Sequence, residues 1–246
     1  MASEDQENQR GALAQTGRVA EAYDTVRHLI LSHQLAPGTS IVETQLAGEI
    51  SHTRVTLRAA LQRLEHEGFV HSRSLGTYRR RIVAPLTVVD MEDVFSLIGA
   101  LEGVAARRVA SLGEEGRRRL VTKLEDVNAA MLAELESDSS GAGRASELDA
   151  GFHRTLVEEA AGDHIRLSYG AAAPHVERYR NVYAMRIVQQ LRTSYDEHHA
   201  ICASILVGGG VESQLVVERH WENAADRLRN VITEMGERGA ILPADG

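Results

Sequence analysis

Asp149 and His153 stand four residues apart in the stretch "ELDAGFHRTLVEEAAG", beside an apolar stripe of Leu148, Phe152, Leu156 and Val157. On a helix that spacing sets the two side chains about 5–6 Å apart at Cβ, close enough to share one ion. Two further stretches carry imidazoles in a similar setting. In "SYDEHHAICASIL", His198 aligns with Ile201, Cys202 and Ile205, while His199 aligns with Cys202 and Leu206, so periodicity does not choose between the two. In "VVERHWENAADRLRNVI", His220 shares a face with Val217, Ala224 and Leu228. Two or three imidazoles and one carboxylate, brought by three helices to apolar faces, suit a borderline divalent cation such as zinc or nickel. The plainer alternative is an acid favoured by a helix N-terminus and core-edge histidines satisfied by hydrogen bonds.

The elements that must position these residues are helices. From Pro85 onward no stretch reads as a strand, and apolar residues recur at helical spacing. Thr87 and Asp90 open the first of these helices at capping-box spacing, with Asp in place of the usual Glu. Further helices are predicted at about 114–136, 146–160, 163–172, 175–190, 194–207 and 211–237, broken by "SDSSGAG", "AGD", Pro174 and "GGG". Residues 85–240 are therefore expected to form an all-α bundle.

The first third reads differently. Residues 1–17 lack apolar periodicity and are expected to be a disordered tail. Over residues 18–84, Val19, Ala22, Val26, Leu29 and Ile30 mark one helix, and "APG" at Ala36–Gly38 a turn. A short segment "ETQLAGEI" follows, then a helix with the stripe Leu57, Ala60, Leu61 and Leu64. "FVHSRSLGTYRRRIVAP" is a β-hairpin candidate turning near Ser74–Gly76. Three helices plus a hairpin outline a winged helix-turn-helix. Arg54, Arg58 and Gln62 fall on the polar face of its third helix, where Arg suits guanine and Gln adenine in a major groove. Thr53 and Thr56 are placed to reach phosphates or base edges.

Here a family resemblance becomes specific. Arg27, Pro37, Gly38, Leu46, Ala47, Arg54, Arg58, Ala60, Leu61, Leu64, Glu65, Glu67, Gly68 and Val70 match the pattern of the winged-helix domain of GntR-family regulators. Val55, Thr56 and Ala59 depart from it, standing where that family usually has Thr, Pro and Glu. The resemblance implies that Arg27 contacts phosphate, that Thr53, Arg54 and Arg58 contact DNA from the recognition helix, and that Gly76 sits at the wing tip beside the minor groove. The second part, with Asp149, Phe152 and His153 as "D-x-x-F-H", Glu197, His198 and Ile201 as "E-H-x-x-I", and His220 late in the last helix, resembles the FCD domain of the FadR-like subfamily. That resemblance implies a single metal ion held by Asp149, His153, His198 and His220, and so selects His198 over His199. It also implies a small organic acid as effector. The family often has an Arg three residues before the "L-E" of the first bundle helix, where this chain has Ile98. Arg178, Arg180, Arg186 and Arg192 are the alternative cations, and Arg186 and Arg192 are taken as the effector-binding pair.

Composition fits this division. Net charge is −8 overall, but residues 18–84 carry a net of +3 and residues 85–246 a net of −9. A mildly basic domain on an acidic body suits two different partners. Hydrophobic content of 43 % and charged content of 25 % suit a soluble globular protein. No membrane span or secretory signal is recognised, so a cytoplasmic location is expected. The lone Cys202, in an apolar run, is expected to be a small core residue. The expectation is a metabolite-responsive transcriptional repressor, binding a palindromic operator as a homodimer. A metal-dependent hydrolase is the alternative from another class, although no H-E-x-x-H signature is present.

Overall fold

The structure is a computed structural model that describes residues 2–75, 78–137 and 142–240. The chain divides into two compact units, Met1–Leu86 with Glu237–Gly246, and Thr87–Gly236.

The first unit contains helices α1 (Ala2–Leu31), α2 (Glu43–Glu49) and α3 (Arg54–His66), then antiparallel strands β1 (Val70–Leu75) and β2 (Tyr78–Val83). Its core joins Ala22, Val26 and Ile30 of α1 to Leu57, Ala60, Leu61 and Leu64 of α3, closed by Phe69, Val70 and Val83. α1 begins at Ala2, so residues 2–17, expected as a tail, form its first turns. The added residues are mostly Ala, Glu, Gln and Arg with no Pro, so the helix propagates on backbone bonds without an apolar stripe. Arg238 rejoins this unit through an antiparallel bridge to Leu86. The unit boundary thus falls just short of the expected end of the bundle.

α3 starts where Thr53 caps it, its hydroxyl accepting the Thr56 N–H at 3.2 Å. Gly38 turns the chain at φ +78, and an added Cβ there would meet the Gly239 backbone at 2.5 Å. A side chain at that position is excluded both by conformation and by space.

The second unit is helical throughout: α4 (Val88–Ala110), α5 (Glu114–Leu135), α6 (Ala142–Ala160), α7 (Asp163–Val182), the single turn α8 (Ala184–Ile187) with a 3₁₀ turn at Val188–Gln190, α9 (Leu191–Val207) and α10 (Gly210–Met235). Thr87 caps α4 by accepting the Asp90 N–H at 3.2 Å. Pro174 was expected to end a helix, but α7 runs through it. A proline removes one donor and can be carried inside a helix when packing holds both sides, and Ala172 and Val176 are buried on either side of it. The chain instead turns at Tyr183. α4 and α10 approach closely at Gly99, where an added Cβ would meet the Trp221 Cβ at 3.0 Å. No described helix is long and apolar enough to cross a membrane.

Candidate functional site

The interior of the second unit brings together His153 of α6, His198 of α9 and His220 of α10. Ligand nitrogens of the three imidazoles lie within 4.8 Å of one another, and all three side chains are buried. The apolar stripes of their helices turn them inward. Phe152 stacks flat on His198, with centroids 3.8 Å apart and planes at 3°, and so fixes that ring.

Each imidazole has its Nδ1 engaged by an oxygen from another helix. His153 Nδ1 is 2.7 Å from Glu102 Oε2, His198 Nδ1 3.0 Å from Asn128 Oδ1, and His220 Nδ1 2.7 Å from Glu197 Oε2. An Nδ1 that donates outward leaves Nε2 with its lone pair turned inward, the usual support of a metal-ligating histidine. Glu197 is itself anchored by both Arg227 nitrogens, at 2.8 and 3.0 Å. Glu102 also accepts from Trp221 Nε1 at 2.9 Å. The sequence reading missed Glu102 and Asn128 as supports. The available signal was a lone acid and a lone amide on the apolar faces of "LIGALEGVAA" and "LEDVNAAM".

Asp149 lies beside the triad. Its Oδ2 is paired with Arg180, and its Oδ1 stands 3.7 Å from His198 Nε2. Asp149 Oδ1 and His198 Nε2 are buried and have no hydrogen-bond partner. Two such atoms facing one another within a histidine triad fit a divalent cation, since stranded buried polar atoms are otherwise costly. The protonation pattern agrees at two of the three imidazoles. Burial and the neighbouring imidazoles hold His198 well below the ordinary histidine range. Burial also lowers His220 against the pull of Glu197. Burial opposes charge on His153, but the Glu102 carboxylate prevails and raises it. Glu197 is held down at about 2, where burial is outweighed by hydrogen bonds from His220 and Arg227.

A cavity of about 60 Å³ lies against this cluster, with Asp149, His153, His220, Arg180 and Arg227 in its wall. A site of roughly 10–15 Å³ holds one water, so this one has room for a small anion. Arg180 reaches the cluster through Asp149, also donating to the Ser146 carbonyl at 2.6 Å. The pair expected from sequence lies elsewhere. Arg186 is half exposed, 3.8 Å from Glu234, and Arg192 is exposed and paired with Glu136 at 3.1 Å. Arg178 is buried.

In the first unit, Arg54, Arg58 and Gln62 are exposed on the face of α3 opposite its core stripe. Arg27 is half-buried, its guanidinium 5.5 Å from the Phe69 ring centroid. Thr53 is exposed at the helix cap, and Thr56 is not. It is buried and its hydroxyl shares a hydrogen bond of 2.9 Å with that of Thr53. Position 56 precedes Ala60 by one turn and so belongs to the core face. Gly76 lies outside the described residues.

The family model for bacterial regulatory proteins of the gntR family matches residues 18–77, and the FCD domain model matches residues 93–236. An uncharacterised HTH-type transcriptional regulator from the TAR-I ttuE-ttuC' intergenic region of Agrobacterium vitis is 32 % identical over 151 residues, 61 % of this chain and 85 % of that protein. The Nta operon transcriptional regulator of Aminobacter aminovorans is 26 % identical over 225 residues, 87 % of this chain and 98 % of that protein. Among solved structures, E. coli McbR/YncC shares the fold at a TM-score of 0.63 and 12 % identity, covering 87 % of this chain and 98 % of that one. These families comprise transcription regulators that bind DNA and dimerise, and a hydrolase is not favoured. The chain belongs to the GntR family of bacterial regulatory proteins, with an FCD domain as its second unit.

Proposed function

We propose that this regulator answers to a small carboxylate held on a divalent ion inside its FCD domain. The observation that carries the reading is the pair of stranded atoms, Asp149 Oδ1 and His198 Nε2, facing one another amid the triad. Asp149, His153, His198 and His220 would hold zinc or nickel. When bound, the ion supplies a positive charge with open positions for an anionic oxygen. Glu102, Asn128 and Glu197 keep the imidazole tautomers correct, and the surrounding apolar residues exclude water. Arg180 offers a second positive charge to a carboxylate in the adjoining cavity.

α7 offers a route from the cavity to the DNA-binding unit. Arg180 lies between Tyr179 and Tyr183. The Tyr179 hydroxyl takes the Thr87 N–H at 3.2 Å and stands 2.8 Å from both the Thr87 carbonyl and Asp90. The Tyr183 hydroxyl donates to the Gly236 carbonyl at 3.0 Å. Thr87 and Gly236 are the first and last residues of the second unit. A ligand that shifts Arg180 therefore pulls on both points where the chain joins the units. The protein is read as a cytoplasmic repressor that binds a palindromic operator as a homodimer, with Arg27, Thr53, Arg54 and Arg58 toward DNA.

The test uses fluorescence anisotropy on a duplex selected by the full-length protein from a random pool. A panel of short hydroxy acids and dicarboxylates is added to metal-loaded and chelator-stripped protein. At least one acid should change affinity for the duplex, and only in the loaded protein. An equal response in the stripped protein would contradict the role of the ion.

A further inference from the structure

Glu43, in the first turn of α2, divides its carboxylate between two arginines. Its Oε2 accepts from Nε and Nη2 of Arg58 at 3.1 and 3.0 Å, and its Oε1 accepts from Nη1 of Arg81 at 2.6 Å. Arg81 lies on β2, opposite Ser72, and its Nε also reaches Glu65 of α3 at 3.3 Å. One acid thus ties α2, the recognition helix and the wing strand together. The Arg58 side chain is 59 % exposed while that of Glu43 is 21 % exposed, so the acid sits behind the arginine.

An isolated exposed ion pair contributes little to stability. The geometry nevertheless has a directional effect. With the Nε–Nη2 edge of Arg58 taken by Glu43, the Nη1 end is left to donate outward. A guanidinium held in this way loses less freedom when it meets a base. A carboxylate near a DNA-docking face also repels phosphate, so its effect on affinity alone is adverse.

We propose that Glu43 is a positioning residue for base readout, fixing the Arg58 fork so that sequence preference depends on it while raw affinity does not. The proposal rests on the reading that α3 docks in the major groove through Arg58. It predicts that Glu43 and Arg58 act as one unit in discrimination.

The experiment uses the full-length protein and the duplex it selects from a random-sequence pool. Each guanine of a half-site is replaced in turn by 7-deazaguanine, which lacks only the N7 acceptor. In the parent, one replacement should weaken binding about tenfold, and Arg58→Ala should abolish that penalty. Glu43→Gln keeps the shape but not the charge; it should reduce the penalty to below about threefold, with affinity for an unrelated duplex unchanged or raised. The double variant should lose nothing further. Glu43→Ala provides the same reading if the Gln variant is poorly folded by circular dichroism. A full penalty in a folded Glu43 variant, or an equal loss of affinity for every duplex, would overturn the proposal while leaving Arg58 as a DNA contact. A full penalty in Arg58→Ala would remove the underlying reading and the proposal together.

Discussion

His198 Nε2 stands 3.7 Å from Asp149 Oδ1, beyond hydrogen-bond reach, and both atoms are buried without a hydrogen-bond partner. The two side chains come from α9 and α6 and are each held from behind, His198 by Asn128 and Asp149 by Arg180. A residue that merely filled the core would have no reason to keep two polar atoms stranded face to face.

Asn128 should therefore matter to metal affinity without touching the ion. Asn128→Ala leaves His198 Nδ1 without its partner and frees the ring to turn. Metal affinity, measured by competition with a chromophoric chelator, is expected to fall about 10–100-fold. An unchanged affinity would show that Asn128 does not orient His198.

Arg180 should bind the effector, and the exposed arginines should not. Calorimetric titration with whichever short acid binds the metal-loaded parent should show at least about a tenfold loss in Arg180→Gln, as expected for a charged hydrogen bond. Arg186→Ala and Arg192→Ala should bind as the parent does. Loss in Arg192→Ala with binding kept in Arg180→Gln would restore the expectation drawn from sequence.

Tyr179→Phe should separate binding from response. It deletes the hydroxyl that holds the Thr87 backbone and Asp90, at a stability cost of about 1 kcal/mol. Metal content and acid affinity should stay as in the parent, while the acid-induced change in DNA affinity shrinks. A full response in Tyr179→Phe would place the coupling elsewhere.

Cys202 is buried and its thiol is pushed up to about 12 by burial, with Glu125 adding to the shift. The folded thiol therefore stays protonated at pH values where an unfolded one ionises. Its stabilising contribution is complete below about pH 9 and is lost as pH rises from there toward about 12. Urea unfolding at pH 8 and pH 10 should show the parent losing about 1 kcal/mol more than Cys202→Ala over that interval. Equal losses would mean that the thiol ionises in the folded state.

Periodicity made much of this arrangement legible. The stripe Leu57, Ala60, Leu61 and Leu64 located α3 and its outward face, because one-turn spacing translates directly into a shared side of a helix. The same rule extends to Thr56, which precedes Ala60 by a turn and is buried. His153, His198 and His220 were visible for the same reason, although only the resemblance chose His198 over His199. Glu102 and Asn128 were not, since their partners lie on other helices and chain spacing holds no record of tertiary neighbours. The placement of the arginines was hidden for a similar reason. Arg180 and Arg186 lie close in the chain, but their directions depend on where α7 ends, and Pro174 suggested a break more than two turns too early. Residues 2–17 carry no apolar stripe, so periodicity offered no helix there.

The most direct test of the metal centre compares His198→Ala with its neighbour His199→Ala. Metal content is measured by elemental analysis, and melting temperature with and without chelator. The parent should hold about one ion per chain and melt lower once stripped, since an ion bound only to the native state stabilises it. His198→Ala should lose most of both effects and His199→Ala should keep them. Parent-like metal content in His198→Ala, or loss in His199→Ala instead, would contradict the assignment.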